Sequence, residues 1–134
     1  EWHLYKWQMN WLERTLREAQ GKYKNITVYT HYPLALRKAD EKDEYFNLPK
    51  KRRMKLLEMF GKYNVKAVFS GHLHHNTYVK DGELELVTTS SSGIALEQMG
   101  EGKDPLGFRV VKMYDDGLEH KYYGYEELPS KIIL

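Results

Sequence analysis

Three of the six histidines fall within four positions, in Ser70-Gly71-His72-Leu73-His74-His75, and a fourth, His31, stands two residues ahead of Pro33. Imidazole nitrogens bind Zn, Mn, Fe, Co or Ni at about 2.0 to 2.2 Å, so histidines that folding brings together can share one ion or two adjacent ions. The chain has no cysteine. Disulfides, thiolate metal sites and thiol nucleophiles are therefore excluded, and His, Asp and Glu are left as metal ligands. No acidic ligand motif lies beside the cluster, so three imidazoles alone suit an open, Zn-like site. The competing reading is that these histidines cap strand ends or bond to backbone. Gly71 would let the chain turn sharply ahead of His72 without a Cβ clash. His72 and His74, two positions apart, would then reach one site if the segment stays extended. His75 reads as exposed or supporting, and His3 and His120 as structural.

Such a cluster needs elements that bring its members to one edge. Apolar positions Trp11, Leu12, Thr15, Leu16 and Ala19 repeat with helical spacing over about Lys6 to Gln20, and Gly21 supplies the stop. Ile26 to Thr30 is a β-branched and aromatic run ending at His31. Pro49 opens a second amphipathic helix to Tyr63 through Met54, Leu57 and Phe60, and Val65 to Ser70 reads as a second strand running straight into the cluster. A strand, helix, strand order most often returns the chain to a parallel neighbour. Ligands bind outside the carboxyl ends of such strands, which lie roughly 4.8 Å apart, so His31 and His72 should project from adjacent strand ends. Strands at Asn76 to Lys80 and Glu83 to Thr88, with a turn at Asp81-Gly82, follow. Phe108 to Tyr114 and Leu118 to Gly124 form a further pair. The hydroxyl-rich run Thr88 to Gly93 begins a connection reaching Gly107, and loops of that length are usually functional or disordered.

The 134 residues, 41% hydrophobic and 30% charged with a net charge of +2, match ordinary globular usage for one domain, residues 1–134. So small a charge gives no electrostatic reason to expect nucleic acid or an anionic membrane as a partner, and no run approaches the roughly 18 apolar residues of a bilayer span. The basic string Pro49 to Lys55 reads as a solvated helix face, and the eleven tyrosines as packing between strands rather than base-stacking platforms. The lack of cysteine favours a reducing compartment, the cytoplasm. The chain opens with Glu1-Trp2 and no secretory signal pattern, so its true start is expected upstream.

Taken together, Trp11-Leu12, the strand end Tyr29-Thr30-His31-Tyr32-Pro33 and Phe69-Ser70-Gly71-His72-Leu73-His74 resemble the C-terminal half of the calcineurin-like metallophosphoesterases. Glu44-Tyr45-Phe46-Asn47-Leu48, Asp104 to Val111 and Tyr122-Tyr123 bring the resemblance closer to the branch described as serine/threonine phosphatases. The resemblance implies an α/β fold: the C-terminal half of a four-layer α-β-β-α sandwich, with a mixed sheet and two main helices. It also implies hydrolysis of phosphate esters, possible phosphoproteins among them, at two divalent metal ions (Mn, Fe or Zn). His31 and His72 would bind one metal and His74 the other. Ions roughly 3.5 to 4 Å apart lower the pKa of a water and orient the phosphate, so no protein nucleophile is required.

The family's earlier motifs, aspartate-any-histidine, glycine-aspartate and glycine-asparagine-histidine with an acid, are not found in these residues. The bridging carboxylate and catalytic histidine would therefore come from a missing N-terminal half, and no catalytic residue is assigned to this chain. Without those carboxylates two dications repel with too little negative charge to offset them. The chain alone should then be inactive, and should need that half or self-associate through uncovered apolar surface. Ser91, Ser92 and Gly93 are candidates for lining the phosphate cleft, with Asp104 and Arg109 near it. Asp104, before Pro105, reads as a turn former rather than a general acid. The alternatives are a catalytically incompetent metal-binding or regulatory module of the same fold, and a mononuclear metal-binding protein.

Overall fold

The computed structural model describes residues 2–93 and 104–133. Helix α1 spans Trp2–Gln20, strand β1 Ile26–Tyr29, helix α2 Lys50–Lys62 and β2 Val65–Ser70. Strands β3 Thr77–Asp81, β4 Leu84–Thr88, β5 Gly107–Tyr114 and β6 Gly117–Gly124 follow. Four strands make a mixed sheet in the order β1-β2-β4-β3, and β5 and β6 form a separate hairpin. As the strand, helix, strand order implied, β1 and β2 are parallel, with Tyr29 opposite Phe69. Residues 94–103 of the long connection toward Gly107 lie outside the described residues.

The inner strands are buried on both faces, which is why they read as continuous apolar runs. On one face Val68 and Leu86 pack with Leu16 of α1 and Leu57 and Phe60 of α2. On the other, Ala67, Phe69 and Val87 meet Val111 and Leu118 of the hairpin. Gly107 opens that hairpin because a Cβ there would collide with the Tyr123 carbonyl across the pair.

Two helix faces differ from the pattern read in the sequence. Leu12, Leu16 and Ala19 of α1 do pack on the core, but Trp11 is 44% exposed and continues an open stripe with Trp7 at 67% and Leu4 at 71%. On α2 the inward face is Arg53, Leu57 and Phe60, and Met54 turns to solvent. Arg53 is wholly buried although it belongs to the basic string; Lys50, Lys51, Arg52 and Lys55 form the solvated face expected of it.

The burial of Arg53 follows from what it bonds. Its guanidinium donates to the backbone carbonyls of Ala39 at 2.8 Å, Leu34 at 3.2 Å and Leu48 at 2.7 Å, and to that of Glu41. The Glu41 carboxylate, also buried, accepts from the N–H groups of Leu36, Arg37 and Lys38 and from the Asn47 amide. One anion thus takes three backbone donors of the 34–48 loop and one cation four of its carbonyls, so the buried parts of an irregular loop keep polar partners. Asp43 accepts from Lys50 N, setting a carboxylate at the α2 N-terminus and offsetting the cations that the helix dipole disfavours there.

Candidate metal centre

The parallel pairing of β1 and β2 continues past the last strand residues. Thr30 N donates to Phe69 O at 2.9 Å, and Gly71 N to His31 O at 3.2 Å. The chains thus leave the sheet side by side, and the imidazoles meet: His31 Nε2 lies 3.0 Å from His72 Nδ1, with ring centroids 4.9 Å apart. Two donors each about 2.1 Å from one ion and at right angles to each other stand about 3.0 Å apart, so this spacing suits a shared cation as well as a direct hydrogen bond. The His72 ring is held between Tyr32, at 3.9 Å, and Phe46, at 5.7 Å. Phe46 belongs to the loop that Arg53 and Glu41 organise. Burial, reinforced by the neighbouring His31 and His74, pushes the His72 pKa below its ordinary value. The neutral, ligating form is therefore favoured.

The segment carrying His72 and His74 is not extended. Both residues adopt left-handed backbone, with φ of 60° and 57°, whereas Gly71 does not. A Cβ on Gly71 would meet nothing within 4 Å, so the sharp turn is made by the histidines themselves. Among the described side chains, His72 Nε2 and His74 Nδ1 are buried without a hydrogen-bond partner, as is Thr77 Oγ1. A buried polar atom without a partner costs about 1 to 3 kcal/mol. An imidazole with one nitrogen on a metal directs the other N–H to an acceptor, so these orphaned atoms fit a site completed by an ion and by groups from outside the chain. The donor set fits Zn, Mn or Fe. It is incomplete, since among the described residues no three His, Cys, Asp or Glu side chains form a group able to hold an ion. The structure pairs His31 with His72 and leaves His74 outside any such group.

A cavity of about 350 Å³ reaches the strand ends at Thr30 and Ser70; Thr89, Ser90, Ser92 and Arg109 border it together with Tyr29, Phe69, Phe108 and Val111, and none of His31, His72 and His74 lines it. Of the three hydroxyl-loop candidates, Ser92 borders it. Ser91 O accepts from Gly107 N at 3.1 Å, and Ser91 Oγ from Gly93 N at 3.2 Å, which ties both residues into the loop. Arg109 donates to Thr89, His120 and Asn76. His120, structural as read, joins it to Glu85 at 3.1 Å. Asp104 is a clamp, bonded to His75 Nδ1 at 2.8 Å and to Asn76 N. Ser90 belongs to the hydroxyl run Thr88 to Gly93 that the sequence singles out, whereas Asn76 carries no signal there beyond an amide directly after the histidines.

No family model matches the chain. It is 39% identical over 126 residues to human serine/threonine-protein phosphatase CPPED1, covering 92% of this chain and 38% of the relative. The rat and zebrafish (Danio rerio) proteins of the same name are each 38% identical, over 125 and 122 residues. The chain thus spans 38% of the length of the curated relatives it matches. Among solved structures, GAP50, the anchor in the inner membrane complex of Plasmodium, superimposes with a TM-score of 0.76 at 17% identity over 96% of this chain and 41% of that one. That likeness concerns the fold.

Proposed function

Because this chain is a homologue of part of the calcineurin-like phosphoesterase CPPED1, we propose that it supplies the histidine side of a dinuclear centre that hydrolyses phosphate esters, including phosphoproteins. The observation that carries this reading is the 3.0 Å approach of His31 Nε2 and His72 Nδ1 at adjacent strand ends. In this reading His31 and His72 hold one divalent ion and His74 the other. Bound ions of this kind supply Lewis acidity to the phosphoryl group and an activated water. The chain's own work is positional. Tyr32 and Phe46 fix the His72 ring, and burial keeps it neutral. Ser92 and Arg109 line the adjoining cavity, where a phosphate ester would lie, while the Thr30 hydroxyl already donates to the Tyr32 carbonyl at 2.8 Å. In this reading the bridging carboxylate and the catalytic histidine come from outside this chain, which alone turns nothing over.

Elemental analysis of the chain and of His31→Ala and His72→Ala variants tests the ligand assignment. Each substitution is expected to remove bound metal, and unchanged content in both refutes it. A module that binds without turnover draws its support from the absence, among the described residues, of a three-ligand group. Pairing the chain with the part of a longer relative that it does not match separates the two readings: phosphatase activity toward a phosphoester supports the hydrolase, and metal binding without activity supports the module.

A further inference from the structure

Resting on that metal reading, we propose that Asn76 is a positioning residue, which through Ser90 holds His74 in the left-handed conformation that aims its ring at the site. A non-glycine residue in that region is strained and persists only where its surroundings over-determine it. His74 has φ of 57°, and its neighbours are tied on both sides. Ser90 Oγ donates to the His74 carbonyl at 3.0 Å. Ser90 N donates to Asn76 Oδ1 at 3.2 Å, and the same oxygen accepts from Arg109 Nη2 at 3.1 Å. Asn76 N donates to Asp104, which also binds His75. One amide thus joins the end of β4, the histidine segment and the β5–β6 hairpin, while the ring it serves keeps a buried, unpartnered Nδ1. Apart from Arg109, which stands on β5, the bonded groups lie in connections: Asn76 ahead of β3, Ser90 after β4 and Asp104 ahead of β5.

The test uses Co²⁺ as probe, titrated into the 134-residue chain and followed by its visible absorption, with urea unfolding of each metal-free variant alongside. Asn76→Ala is expected to weaken Co²⁺ binding roughly 10- to 100-fold, the range found when supporting partners of metal ligands are removed, and to change the band shape. Asn76→Asp keeps an acceptor for Ser90 and Arg109 and is expected to return the parental spectrum and affinity. A purely structural role predicts a lower urea midpoint with an unchanged spectrum, and that result overturns the proposal. A parent chain that takes up no Co²⁺ overturns the metal reading itself, whereas a binding parent with an equally binding Asn76→Ala overturns only the role of Asn76. If Asn76→Ala does not fold, Ser90→Ala decides, because it leaves the Ser90 N–H bond to Asn76 in place and removes the hydroxyl bond to His74 together with the contact to Tyr122; Tyr122→Phe is the control for that contact. Weakened binding supports the proposal and parental binding overturns it.

Discussion

Replacing Arg53 with Met is the sharpest probe of how the site is supported. Methionine fills nearly the same volume, so little cavity is created, and the change isolates the loss of four guanidinium bonds to the carbonyls of Leu34, Ala39, Glu41 and Leu48. Each buried carbonyl left without a donor costs about 1 to 3 kcal/mol. Relaxation lets some of them reach water, so the sum is not additive, and a net loss of about 3 to 5 kcal/mol is expected, comparable to breaking a buried ionic contact. Domains of this size are stable by about 5 to 15 kcal/mol, so the variant should remain largely folded but be easily unfolded. Circular dichroism in urea is the assay, because Trp7 and Trp11 are exposed and would report core unfolding poorly. With an m-value of about 1.5 kcal/mol/M, the midpoint should fall by about 2 M or more. Arg53→Lys retains the charge but not the planar fork, and should fall between parent and Met. A loss below about 1 kcal/mol for Arg53→Met would refute the argument that this guanidinium holds the 34–48 loop.

The Glu41 carboxyl gives a pH signature. Burial alone would raise its pKa, but the bonds from Leu36, Asn47, Lys38 and Arg37 together outweigh burial and leave it below the ordinary value of 4.5. Its folded pKa is depressed, so the stabilisation is in place above about pH 4.5 and is lost as pH falls through the folded value. Urea midpoints measured from pH 6 downward should therefore drop in the parent in the acid range, and Glu41→Gln should flatten that dependence from a lower starting stability; parallel curves would sink the assignment. Placing Glu at Leu4 and Trp7 should reduce self-association in sedimentation while changing stability by no more than about 0.5 kcal/mol, since both side chains are open to solvent. Unchanged association would show that the α1 stripe is not the contact surface.

The rim of the site was legible because it depends on local pattern. Two β-branched runs separated by a helix fixed the parallel pair, and residue order alone then set His31 beside His72. Arg53 was illegible for a physical reason. Helical periodicity assigns charge to solvent, yet an arginine one turn ahead of the buried Leu57 can turn inward when carbonyls await it, and those carbonyls come from a loop whose path no periodicity describes. The same holds for Asn76, whose partners Ser90, Asp104 and Arg109 lie 14, 28 and 33 residues away in sequence. Gly71 was credited with a turn because glycine tolerates positive φ most readily, and yet the strain falls on His72 and His74, where tertiary bonds hold it.

These long-range polar contacts also sharpen the meaning of the unpartnered nitrogens. In the 34–48 loop a single carboxylate takes three backbone N–H groups and a single guanidinium four carbonyls, although that stretch has neither helix nor strand. A chain able to satisfy so irregular a segment from its own side chains is not short of polar partners in general. The buried His72 Nε2 and His74 Nδ1 stand against that background on one short segment, beside an imidazole pair at ligand spacing and next to an open cavity. Random imperfection would scatter such atoms through the fold. With Thr77 Oγ1 they all fall between residues 72 and 77, next to the carboxyl end of β2, which is where the proposed metal reading calls for partners from outside the chain.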